Sequence, residues 1–218
     1  MKGLLIKDFK LLKGQKQFFA AVLIVMTVFL MTSTSLSFVI SYITVMMGML
    51  TLTTIGYDEH ENGMGYLFTL PVSRKGYVRE KYLFGIMTTL PVLAVVSAIA
   101  FLVSGIRHID FSVEEWGGAI MGSMLIVTMM LSLLIPIELK FGAERSRIVM
   151  TLVFGGAFAV VFIGVKAGEF LGIDWKIWLD RLNGLDLPVV WGAFAVICGG
   201  ALAISYLFSL RFLMRREF

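Results

Sequence analysis

The sequence predicts an all-α polytopic membrane protein of six transmembrane helices, on three observations. Hydrophobic residues make up 58% of the 218 positions and charged residues only 16%, with a mean hydropathy of +0.89. Ordinary soluble domains run near ~45–50% and ~25%. Long stretches carry no charge at all, and the basic residues gather between alternate stretches. The composition excludes a water-soluble enzyme, a disordered chain and a disulfide scaffold. The single Cys198 leaves no intrachain disulfide and no cysteine-built zinc site.

The elements follow in chain order. Residues 17–57 contain no Asp, Glu, Lys, Arg or His. One crossing takes ~20 apolar residues, so this run holds two spans. The polar knot Thr32-Ser33-Thr34-Ser35 marks the turn between them. Four further apolar runs, 82–106, 116–137, 148–165 and 187–210, each cross once. Pro91 and Pro136 are candidate kinks, and Gly118-x-x-x-Gly122 and Gly199-Gly200 are candidate points of close helix contact. The whole of 1–218 reads as one transmembrane domain with no room for a soluble catalytic domain. A cleaved signal peptide over 1–38 is disfavoured, because the apolar run is too long and no small-x-small site ends it.

Six spans put both termini on one side, with the loops 57–81 and 138–147. That side carries 15 of the 19 Lys and Arg residues, and the other only Arg107, Lys166, Lys176 and Arg181. By the positive-inside rule both termini are expected to be cytoplasmic.

Three segments outside the spans carry functional expectations. Residues 1–17 read as an amphipathic helix, with Leu5, Phe9 and Leu12 on one face. Lys7, Lys10, Lys13 and Lys16 line the other and are expected at an anionic membrane surface. The same lysines serve equally as a plain topogenic signal. In the loop 57–81, acidic Asp58, Glu59 and Glu61 precede apolar Met64, Leu67 and Phe68. Pro71 ends any helix there, and Ser73 is placed to cap the next one. Such a short helix suits docking onto another protein, or else lies on lipid. Residues 166–186 form a long outer loop rich in bulky side chains, among them Trp175 and Trp178, read as external or re-entrant helices or an interfacial anchor.

Leu67-Phe68-Thr69-Leu70-Pro71-Val72-Ser73-Arg74, followed by Val78 and Lys81-Tyr82, resembles the cytoplasmic signature of small ABC-2-type permeases, the membrane subunits of ATP-driven exporters. Within that family the chain is similar to the short permeases of amphipathic-peptide exporters such as the phenol-soluble modulin exporter. The resemblance implies a homodimer in the bacterial cytoplasmic membrane, with separate cytoplasmic ATPase subunits that bind ATP and Mg. It implies a coupling helix within 58–70, with Asp58, Glu59, Glu61, Met64, Tyr66, Leu67, Phe68 and Arg74 as the residues that meet the ATPase.

Other chemistries lack their residues. No Gly-Lys dipeptide exists to cradle phosphate, and His60-Glu61 is followed by Met64 where a zinc protease needs a second His. The span centres hold no ionisable residue, against what an ion-coupled carrier uses. No cofactor, metal or nucleic-acid partner is expected for the chain itself. With the resemblance, the expected role is a non-enzymatic export subunit for amphipathic peptides or other amphipathic cargo. A secondary carrier and a non-transporting sensor or scaffold are the alternatives.

Overall fold

The structure is a computed structural model describing residues 2–32, 35–60, 63–109, 111–170 and 187–216. Among the described residues seven helices run in order: α1 Lys2–Gly14, α2 Lys16–Thr32, α3 Leu36–Glu59, α4 Gly63–Thr69, α5 Arg74–Arg107, α6 Val113–Phe170 and α7 Leu187–Arg215. Among the described residues there is no strand.

Five segments are long and apolar enough to cross a membrane: α3, α5, the two parts of α6 (Val113–Gly142 and Ile148–Gly168) and α7. The count reaches six when α1 and α2, which meet at a bend of 66°, are taken as one broken span. The amphipathic helix expected over 1–17 thus ends at Gly14, and the chain turns at Gln15. The turn expected at 32–35 is consistent with the end of α2 at Thr32 and the start of α3 at Leu36; Ser33 and Thr34 lie outside the described residues.

The α3 helix is the axis of the bundle. Its buried positions Leu36, Ile40, Ile43, Met47, Leu50, Thr54 and Asp58 recur every three or four residues along its full length, which keeps one face of a helix covered throughout. It packs on α5 and on the first part of α6, which in turn packs on α7. Gly48 sets the α3–α6 distance: a Cβ there would lie 3.1 Å from Val127 Cγ1 and 3.2 Å from Met130 Cε. By contrast Gly118, Gly122, Gly199 and Gly200 face open space, so the close contact falls at a glycine outside both candidate motifs.

Hydroxyl groups stitch the helices where apolar contact alone gives little specificity in lipid. Ser41 and Ser123 join α3 to α6 at 2.9 Å. The Tyr82 hydroxyl meets Ser209 Oγ at 2.9 Å and also Ser205, whose Oγ donates to the Ser132 carbonyl, tying α5, α7 and α6 together. At the far end Arg107 donates to the Leu30 carbonyl and caps α2, while Ser112 and Glu115 form a reciprocal capping box at the start of α6.

The loop expected over 138–147 is replaced by helix. Glu138 to Phe141 continue α6, and the break is confined to Gly142 at φ 80. Pro91 and Pro136 both sit inside their helices. A fifth span therefore follows directly from the fourth. Beyond Phe170, the outer-loop segment 171–186 lies outside the described residues.

Candidate functional site

One end of the bundle collects α1, α4, the last turn of α3, the first turns of α5, the Gly142 break and the end of α7. The start of α1 and the end of α7 both lie there, as an even number of spans expects, and the buried ion pairs described below are held there.

The α4 helix has seven residues, too short to persist alone, so its neighbours must hold it. Met64 and Leu67 are the anchors, 2% and 8% exposed, packed into the core with Ile55, Tyr77 and Val78. Pro71 follows its end. Ser73 caps α5 by accepting from Gly76 N at 3.1 Å, as its position before Arg74 predicted. The opposite side of α4 is open: Tyr66 is 72% exposed, and Leu70 just after the helix is also exposed. Phe68 packs edge-on against Tyr77 and lies under the Arg74 guanidinium. Arg74 also donates to the Leu213 and Met214 carbonyls at 3.0 and 2.8 Å, capping α7.

Of the eight residues assigned to partner contact, Tyr66 alone combines wide exposure with a place on α4. Met64, Leu67 and Asp58 face inward, and Phe68 and Arg74 bind neighbouring elements. Glu59 pairs with Arg216, which also donates to the Leu139 carbonyl at 3.1 Å. Glu61 lies outside the described residues. The two described acids are thus divided: Asp58 and Glu59 lie in the last turn of α3, Asp58 paired inside the bundle and Glu59 with Arg216 beyond α7.

Asp58 belongs to a buried charge cluster that joins three helices. Lys81 of α5 is fully buried, its ammonium 2.5 Å from Asp8 Oδ2, 2.9 Å from Asp58 Oδ2 and 3.1 Å from Thr54 Oγ1. Tyr77 donates to Asp58 Oδ2 at 2.9 Å. Lys7 binds Asp58 Oδ1 and stands 3.2 Å from Asp8 Oδ1. Burial works against the charge on Lys7, but bonding and attraction from Asp58, then from Asp8, outweigh it and hold its pKa above the ordinary lysine value.

The expectation for Lys7 is corrected accordingly. It does not line the outer surface with Lys10, Lys13 and Lys16, which are exposed; it turns into the bundle. The helix α1 is rotated from the expected face: Leu4, Asp8 and Leu12 are its buried stripe, while Phe9 is partly exposed and meets Phe84 edge-on. Asp8 was the residue missed. Its signal was available, a lone acid at i+4 from Leu4 and i−4 from Leu12 within a basic segment.

Deeper in the bundle, α3, α5, α6 and α7 enclose a cavity of about 100 Å³ lined by Thr44, Thr89, Met124, Thr128, Leu131 and Leu202, among others. Thr44 and Thr89 turn their hydroxyls to their own helix carbonyls, which leaves the walls largely apolar. Met124 lines this space, whereas Met47 and Met130 are core packing.

Apolar helices of crossing length, bound by buried hydroxyls and charges, define a multi-pass helical membrane protein. The chain matches the ABC-2 family transporter proteins over residues 3–213 and belongs to that family. It is therefore an ABC transporter permease, a transport membrane subunit of the kind that generally works with an ATPase subunit. No curated protein and no solved structure matches it.

Proposed function

We propose that the chain is the membrane subunit of an exporter, working as a homodimer in the bacterial cytoplasmic membrane and carrying amphipathic peptides out. A separate cytoplasmic ATPase drives it and binds the ATP and Mg. The observation that carries this reading is α4. It bridges two central spans, is rooted in their core through Met64 and Leu67, and presents Tyr66 and Leu70 outward. A push on that outer side is transmitted to α3 and α5, since close-packed side chains cannot yield separately. Here the partner-facing role narrows to Tyr66 and Leu70, with Glu59, Arg74 and Phe68 holding α4 and its neighbours in place.

Two features support the finer points. The segment Ile148–Gly168 bares Ile148, Leu152, Phe158 and Ile163 on its surface, which suits contact with a second copy or lipid. The largely apolar cavity suits cargo with an apolar face better than an ion. The decisive experiment is a mild-detergent pull-down of the tagged chain from native membranes. A stoichiometric partner bearing a phosphate-binding Gly-x-x-x-x-Gly-Lys-Ser/Thr loop, lost on Tyr66→Asp, is the expected result. A chain that comes down alone after cross-linking overturns the reading.

A further inference from the structure

Among the described residues the charge cluster at α1 does not balance. Three carboxyls, Asp8, Asp58 and Glu80, face two ammonium groups, Lys7 and Lys81. Glu80 is 1% exposed, and among the described residues neither of its carboxyl oxygens has a hydrogen-bond partner. Its nearest cation, Lys81, stands 3.9 Å away. An ammonium has three protons to give, and those of Lys81 are directed at Asp8, Asp58 and Thr54. Lys7 is bound to Asp58. Asp8 Oδ1 is likewise buried without a hydrogen bond, with the Lys7 ammonium 3.2 Å away, and the Asp8 and Glu80 carboxyls stand round the same Lys81 ammonium, at 2.5 and 3.9 Å.

Carboxylates gathered round too few cations, away from water, repel one another, and an ionised Glu80 has no donor; a single proton removes both penalties. We propose that Asp8 and Glu80 share one bound proton, and that this proton is the latch holding α1 on the bundle. The proton comes from solvent and sits on Glu80, which donates to Asp8 Oδ1. The remaining charges then pair off, Asp8 and Asp58 with Lys7 and Lys81. Loss of the proton leaves a net negative charge buried between α1 and α5, and the exposed Lys10 and Lys13 give α1 a ready alternative at the lipid surface. Besides these, Tyr77 of α5 is the titratable group turned to the cluster, and its hydroxyl is committed to Asp58. The latch is closed when the site is protonated and opens as pH rises.

The test needs no transport assay and so stands apart from the exporter reading. Infrared spectra of the membrane-reconstituted chain, carrying side-chain carbon-13 glutamate, are expected to show a protonated glutamic acid band at neutral pH. The band is lost on raising the pH and is absent in Glu80→Gln, whose amide donates where the acid did. In a Cys198→Ser background, a spin label at Lys13→Cys is expected to gain mobility with rising pH in the parent and to stay ordered throughout in Glu80→Gln. Absence of the band in the parent overturns the proposal, even if the variant fails to fold. An identical pH response of the label in both proteins overturns the latch.

Discussion

The Glu59 carboxylate and the Arg216 guanidinium close over Gly142, so the end of α3 and the chain's C-terminal end grip the break in α6 between them. A Cβ on Gly142 would sit 3.0 Å from both Arg216 Nη2 and Glu59 Oε2. The backbone there, at φ 80 and ψ 166, is one that L side chains rarely adopt. This glycine thus answers two demands, a turn of conformation and a close approach by a charged pair.

Gly142→Ala is therefore expected to destabilise the protein by about 1–3 kcal/mol from backbone strain, with further loss if the Glu59–Arg216 pair is displaced. Thermal unfolding in detergent measures it. A midpoint equal to that of the parent would mean that the break tolerates a side chain and that the pair does not depend on it.

Lys81→Met removes the cation that Asp8 and Asp58 share and leaves both carboxylates buried. Breaking a buried pair in this way costs about 3–5 kcal/mol. The double variant Asp8→Asn with Lys81→Met is expected to recover part of the loss, because it removes one stranded charge along with its partner. A double variant no more stable than Lys81→Met would show that the two residues are not energetically coupled.

The two sides of α4 are expected to separate stability from partner binding. Met64→Ala empties a core position and is expected to cost about 2–5 kcal/mol, read as a lowered unfolding midpoint. Tyr66→Ala touches an exposed side chain and is expected to stay within about 0.5 kcal/mol of the parent while reducing ATPase capture in the pull-down. Equal effects of both on the midpoint would remove the distinction between anchor and contact.

Gly48→Leu is expected to force α3 away from Val127 and Met130 of α6, at about 1–3 kcal/mol of overpacking. Gly118→Leu, in open space, serves as the control and is expected to leave the midpoint unchanged. A destabilised control would place another surface against the first turns of α6.

Much of this was legible in the chain. Residues 17–57 and the later apolar runs announce spans because lipid demands length and apolarity of each segment separately. Pro71 and Ser73 announce the end of α4 and the start of α5 because capping is a local matter. Gly142 was not legible as the single break, since Glu138 to Phe141 look like a connecting loop until a helix is seen to run through them. Asp8 and Lys81, 73 residues apart, carry no mark of their pairing.

What the sequence by itself determined is the class of molecule: an all-helical chain with its apolar crossing segments, the sharing of one end by both termini, and the family signature at Leu67–Arg74. Each of those is a property of a segment and its composition. What only the tertiary structure decided is the direction in which side chains point. Met64 and Leu67 became anchors rather than contacts, and Lys7 an internal partner rather than a surface charge. Gly48, not the paired glycines, became the point of closest approach. Such outcomes depend on which neighbours a helix rotates toward, and that rotation is set by summed packing and by pairing of charges removed from water. No single segment encodes it.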